Sequence, residues 1–163
     1  MRLDYRTIFE ELNKERIDYV LVGGLAVNFH GIPRMTYDID LIIALESENI
    51  TRLVSKMTGW GYRPRVPVDP RELADKDKRS LWILDKNMKA FTFYSESEAI
   101  AEIDLLIDSP ISYEELKGRA VVFDLEGVRV PVVSVLDLIE MKMIAGRQQD
   151  LSDVEHLKII LGK

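Results

Sequence analysis

Apolar positions along this chain fall into short runs and helical stripes. Ile8, Phe9 and Leu12 mark one face of a helix predicted over Thr7–Arg16. Asp18-Tyr19-Val20-Leu21-Val22 is a compact apolar run that stops at Gly23-Gly24, the form of a buried strand ending in a tight turn. A short helix is predicted over Leu25–His30, closed by Gly31 and Pro33. Thr36–Ala44 reads as a second strand, and Ser47 caps a helix predicted to run to about Thr58 before Gly59 and Gly61. Pro64, Pro67 and Pro70 make 63–70 an irregular loop, and Asp69-Pro70 opens a helix predicted over Arg71–Lys86. Met88–Tyr94 and Ala99–Ile107 read as strands, and Ala120–Val133 as a hairpin turning at Glu126-Gly127. Two helices follow, Val135–Ala145 and Asp150–Leu161. No repeat or domain linker interrupts the series. The irregular alternation predicts an α+β fold in a single domain, 1–163, with a mixed sheet and helices packed mainly on one face.

Composition narrows the functional classes. The chain has 163 residues, 47% apolar and 31% charged, the balance of a globular domain with a sizeable core. It has no cysteine, which excludes thiolate nucleophiles, disulfides and cysteine zinc sites. Charges in Met1-Arg2-Leu3-Asp4-Tyr5-Arg6 are unlike a signal peptide, and no apolar run approaches membrane-spanning length, so a cytoplasmic location is expected. The net charge of −6 argues against non-specific coating of nucleic acid.

The chemistry is concentrated around Asp38-Ile39-Asp40. Side chains two apart on a strand share a face, so Asp38 and Asp40 point together while Ile39, Leu41 and Ile43 enter the core. Two carboxylates so placed repel unless a cation sits between them, and Mg²⁺ suits such oxygen ligands. Glu102-Ile103-Asp104-Leu105-Leu106 repeats the pattern, and if its strand lies beside the first, Asp104 completes a three-carboxylate cluster. That is the requirement of two-metal phosphoryl transfer, with ions about 3.5–4 Å apart. An isolated Asp-x-Asp is more often a solvated strand face. Its conjunction with Gly23-Gly24 strengthens the functional reading, because a Gly-Gly turn entering a helix can cradle phosphate on backbone N–H groups.

Gly23-Gly24, thirteen intervening residues and then Asp38-Ile39-Asp40 resemble the signature of the DNA polymerase β-like nucleotidyltransferase superfamily. Arg34-x-Thr36-x-Asp38-Ile39-Asp40 is similar to its small prokaryotic members, including the abortive-infection nucleotidyltransferase toxins. Lys142, Arg147 and Asp150 resemble the Lys-x4-Arg and following Asp of that toxin group. The resemblance implies a nucleotidyltransferase fold and Mg²⁺-dependent transfer of an NMP from an NTP to a hydroxyl. Gly23 and Gly24 would hold the triphosphate, and Asp38, Asp40 and Asp104 would bind two Mg²⁺ ions. Asp104 would also help deprotonate the acceptor. Lys142 and Arg147 would meet the leaving phosphates or the acceptor, and Arg34 and Thr36 would touch phosphate or support Asp38. The acceptor is left open among RNA ends, proteins and small molecules. A non-catalytic member that binds nucleotide or a partner, as in a toxin–antitoxin pair, is the competing reading.

Other assignments fit less well. Aspartyl-phosphate phosphatases place the apolar strand before the acidic pair, whereas here Leu41-Ile42-Ile43 follow it. Neither a Gly-x-Gly-x-x-Gly turn nor a Gly-Lys-Ser/Thr loop is present. Lys142 lies on an apolar helix and either snorkels to solvent or faces the site; Arg147 and Asp150 also suit a local ion pair or cap. His30 and His156, the two histidines, suit surface or capping roles. Residues 61–90 hold eight basic against five acidic side chains, leaving −9 for the rest, with Trp82 available for stacking. Such a run is more often a solvated helix face.

Overall fold

The computed structural model describes residues 3–162. In chain order the elements are α1 (Tyr5–Lys14), β1 (Tyr19–Val22), α2 (Gly23–Phe29), β2 (Asp38–Ile43), α3 (Ser47–Gly59) and β3 (Arg63–Pro64). A 3₁₀ helix (Pro70–Ala74) precedes α4 (Lys76–Lys86), β4 (Ala90–Tyr94), β5 (Glu102–Leu106), α5 (Tyr113–Arg119) and β6 (Val121–Leu125). Strand β7 (Val128–Val132) and helices α6 (Val135–Ala145) and α7 (Gln148–Leu161) complete the series.

All seven strands among the described residues join one sheet in the order β3-β4-β5-β2-β1-β7-β6. The β2–β5 and β1–β7 pairs are parallel and the others antiparallel, which makes the sheet mixed and the fold α+β. Alternation along the central strands does the sorting. Ile39 and Leu41 of β2, Ile103 and Leu105 of β5, and Phe91 and Phe93 of β4 are buried in one continuous core. The residues between them, Asp38, Asp40, Glu102, Asp104 and Thr92, are half-buried on the other face.

Register then brings the polar positions together. Asp38 lies opposite Glu102, and Asp40 opposite Asp104. Asp104 faces Thr92 and Glu102 faces Tyr94 across the β4–β5 pair, and Arg63 of β3 faces Tyr94 in turn. Asn49 ties the far end of β1 to β2, accepting from Asp18 N–H and donating to the carbonyls of Asp18 and Ala44.

The structure departs from the sequence pattern at several places. The stretch expected to be one helix over Arg71–Lys86 is a 3₁₀ turn and then α4, because the Asp75 side chain accepts from the N–H groups of Asp77 and Lys78 and restarts the helix there. Helix α5, which the sequence pattern does not predict, buries only Leu116 and so has no apolar stripe. The second strand begins at Asp38 and not Thr36; the Tyr5 hydroxyl takes the Thr36 carbonyl and the Asn28 side chain takes the Arg34 N–H, so 34–37 stay off the ladder. Part of the proline-rich loop pairs with β4 as the two-residue β3. The hairpin turns where expected, with φ of 48° at Glu126 and 90° at Gly127.

Candidate functional site

Strand β1 is buried throughout and passes directly into α2 at Gly23, whose φ is 74°. A Cβ on Gly23 would fall within the Asp40 carboxyl group, 2.8 Å from its Cγ. Gly24 packs closely too, its missing Cβ lying 3.2 Å from Arg34 Cζ and 3.3 Å from Thr36 Oγ1. The Gly-Gly pair therefore allows the loop after α2 to close over the helix start beside the β2 carboxylates.

All nine residues nominated from the sequence line one cleft of about 300 Å³, which Gln149 and Asp150 complete. A larger hollow of about 470 Å³ lies on the outer side of α3 near Lys56 and Trp60 and holds one carboxylate, Glu15. The acidic wall of the cleft comes from β2 and β5. Carboxylate oxygens of Asp38, Glu102 and Asp104 lie within 4.8 Å of one another. Asp40 hydrogen-bonds Asp104, and the Thr92 hydroxyl donates to Asp104 Oδ1 at 2.5 Å. Burial pushes the Asp40 carboxyl up to about 7, helped by the charge and hydrogen bond of Asp104 and by Asp38, and opposed by Lys142. Burial, then Asp104 and Glu102, also raises Asp38.

The basic wall comes from the helices. Lys142 of α6 is buried, its Nζ 3.2 Å from Asp150 Oδ1 and 3.0 Å from Asp153 Oδ2. Arg34 pairs with the same Asp153, while its buried Nε lacks a hydrogen-bond partner. Arg147 donates through Nε to Asp150 Oδ2 at 2.8 Å and through its backbone N–H at 3.2 Å. Burial alone would raise the Asp150 carboxyl, but the hydrogen bonds from Arg147 and Lys142 and their charges hold it below its ordinary range. Both sequence readings of Arg147 and Asp150 thus hold: they form a helix cap and an ion pair, at the cleft's rim. Lys142 does not snorkel.

Besides Gln149, three residues of the site were not nominated from the sequence. Glu102 joins the carboxylates through its register with Asp38. Asp153 anchors Lys142, Arg34 and, through its other oxygen, Gln149. Its signal was an acid on the same helical face as buried Asp150, Val154 and Leu157. Thr92 is found only through strand pairing. Trp82, expected to be available for stacking, is buried against Phe91 with ring centroids 5.8 Å apart. His30 is satisfied by the Val133 carbonyl at 2.7 Å and His156 by that of Ser152 at 2.9 Å, outside the cleft.

Solved structures place this arrangement in a fold class. The lincosamide antibiotic adenylyltransferase LnuA, bound to lincomycin, superposes with a TM-score of 0.65 at 14% identity, covering 98% of this chain and 99% of that one. A putative nucleotidyltransferase from Thermotoga maritima gives 0.57 at 14% identity, over 96% and 89% of the two chains. The antibiotic-resistance factor ANT(2'')-Ia gives 0.56 at 13% identity, over 94% and 80%. No curated protein matches the sequence. The fold is that of the nucleotidyltransferases. A family model described as "Nucleotidyl transferase AbiEii toxin, Type IV TA system" matches residues 6–158, and the chain belongs to that family, whose activity is nucleotidyl transfer.

Proposed function

We propose that the cleft transfers an NMP from an NTP to an acceptor hydroxyl with divalent-cation assistance. The observation that carries this reading is the convergence of nine residues, chosen from separate parts of the sequence, on one cleft with an acidic and a basic wall. The acidic wall fits a hard cation: its donors are all carboxylate oxygens, and burial, reinforced by the charges of Asp104 and Asp38, pushes the Asp40 carboxyl up to about 7. Asp38, Asp40 and Asp104 would hold Mg²⁺, as one ion or two. When bound, the cation polarises phosphoryl oxygens and offsets charge developing on attacking and leaving groups.

The chain's own groups supply the rest. Gly23 and Gly24 line the cleft at the start of α2 and would meet the triphosphate there, and the unpartnered Arg34 Nε–H would be a donor for a phosphate oxygen. Lys142, fixed by two carboxylates, and Arg147 at the rim face the β- and γ-phosphates. The acceptor oxygen forms a bond to the α-phosphorus, the α–β bridging P–O bond breaks, and pyrophosphate leaves. The acceptor's proton passes to Asp104, whose carboxylate Thr92 orients. A companion antitoxin is the expected genetic partner, since the family is one of type IV toxins.

Pyrophosphate release from each NTP, with Mg²⁺ and a crude acceptor extract, tests this reading. Asp38→Ala/Asp40→Ala is expected to abolish a release that the wild type shows. Nucleotide binding without release by any extract would favour a non-catalytic binding role instead.

A further inference from the structure

The two edges of the sheet differ. At one of them β3 has only two residues, the exposed Arg63 and Pro64. Short length, charge and proline are devices that keep a sheet edge from pairing with another chain. At the other, β6 runs Val121-Val122-Phe123-Asp124-Leu125, five residues without proline or lysine, and among the described residues it pairs with β7 alone. Val121 and Val122 are 43% and 49% exposed. The core is left open here: Val128, Val130 and Val132 of β7 are buried, whereas Leu125 and Phe123 opposite them are half-buried and Val121 is exposed. The backbone fixes which groups of β6 face outward. Antiparallel partners alternate between pairs that exchange both hydrogen bonds and pairs that exchange none. Pro131, which has no N–H, lies opposite Val122, and Arg129, opposite Asp124, accepts at its carbonyl from the Asn13 side chain. Val122 and Asp124 are therefore in the pairs that exchange none, and their N–H and C=O groups point to the free edge.

We propose that β6 pairs antiparallel with β6 of a second copy of this chain, about a two-fold axis at Phe123. In that register Val122 of each copy exchanges both hydrogen bonds with Asp124 of the other, which satisfies the outward groups of both residues. Phe123 meets its own counterpart and Val121 meets Leu125, so the row of apolar side chains on the core face continues across the axis. Charge suits a copy of the same strand. Asp124, the one charged side chain of β6, falls opposite an apolar residue and not opposite itself, and Arg129 stands across from it within its own chain. The result is an isologous contact that closes as a dimer and leaves no β6 edge free. Strands β7 and β1 lie between this edge and β2, so the pairing leaves the carboxylates uncovered and stands apart from the transfer reading.

Sedimentation equilibrium over a wide range of protein concentrations tests the pairing. The wild type is expected to rise from the 18.8 kDa of one chain towards twice that mass. Val122 projects away from the core face, so its replacement leaves the fold intact while changing what meets Asp124 of the other copy. Val122→Glu sets like charges opposite each other twice per dimer and is expected to weaken association by about tenfold or more, whereas Val122→Lys sets opposite charges there and is expected to hold at least as tightly as the wild type. Because the chain has no cysteine, a single introduced thiol can link only to its own copy. Phe123→Cys places two thiols on directly opposite residues with Cα atoms about 4.5 Å apart, within disulfide reach, and is expected to give a covalent dimer on mild oxidation. Val121→Cys, equally accessible but opposite Leu125, is expected to give none. A wild type that stays at the mass of one chain up to its solubility limit would overturn the proposal. So would a dimer weakened equally by Val122→Glu and Val122→Lys, or cross-linked equally through Val121→Cys and Phe123→Cys, since each would place the contact away from this register.

Discussion

Asp40 concentrates the tension of the site in one side chain. It is held by register beside Asp104, by strand alternation beside Asp38, and by Gly23 against the start of α2. In the folded chain it keeps its proton up to about pH 7, whereas an unfolded aspartic acid releases it near 4. Between those values the folded state binds the extra proton, so stability without a divalent cation falls as pH rises from about 4 and the loss is complete above about 7. Its size is on the order of 2 kcal/mol, since a tenfold change in proton affinity corresponds to about 1.4 kcal/mol and the charge is shared among neighbours. Asp40→Asn keeps the shape, can donate to Asp104 and cannot ionise. Urea unfolding in EDTA at pH 5 and pH 8 is therefore expected to show a pH-dependent loss in the wild type that largely disappears in Asp40→Asn. A variant that loses stability with pH as steeply as the wild type would remove Asp40 as the source.

At the scale of elements, α6 and α7 are joined across Gly146 by an ionic clamp as well as by apolar packing. Gly146 ends α6 with φ of 65°, and Lys142 reaches two carboxylates on the next helix. Removing one member of a buried ionic cluster strands the others, so Lys142→Ala is expected to cost about 3 kcal/mol in chemical denaturation, where an exposed pair would cost under about 1. Adding Asp153→Asn should recover part of that loss, because one stranded charge is then gone; no recovery would mean the lysine stabilises through its methylenes. This clamp was only partly legible in the sequence. Lys142, Arg147 and Asp150 could be nominated by resemblance, but whether Lys142 faced solvent or the site depended on where α7 packs. The Gly-Gly turn, the β2 carboxylates and the core positions were readable because strand alternation is local and unambiguous. Glu102 and Thr92 were not, because their partners are set by which strands pair and in what register. Helix α5 escaped because it has one buried side chain and Gly118 within it, although Ser112 followed by Glu115 is a capping signature, with the Glu115 N–H donating to the Ser112 hydroxyl.

Across the whole molecule, the site occupies the middle of the sheet, and this links cation binding to global stability. β2 and β5 are central strands that pair in parallel, with apolar neighbours on one face and four carboxylates on the other. Repulsion among those carboxylates is borne by the strands that the rest of the sheet is built on, so relieving it stabilises the entire fold and not a peripheral loop. A ligand that binds only the folded state at a hundredfold excess over its Kd adds about 2.7 kcal/mol. For a chain of this size that corresponds to about 5–10 °C in Tm. Saturating Mg²⁺ is expected to raise the Tm of the wild type by this order at pH 8, and by less at pH 5, where protons compete for Asp40. Asp38→Ala/Asp40→Ala should melt at the same temperature with Mg²⁺ or EDTA. An equal Mg²⁺ shift in that double variant would place the cation elsewhere on this acidic chain. A wild type without any shift would mean that Asp38, Asp40 and Asp104 tolerate their mutual repulsion without an ion, and would withdraw the cation from the proposed reaction.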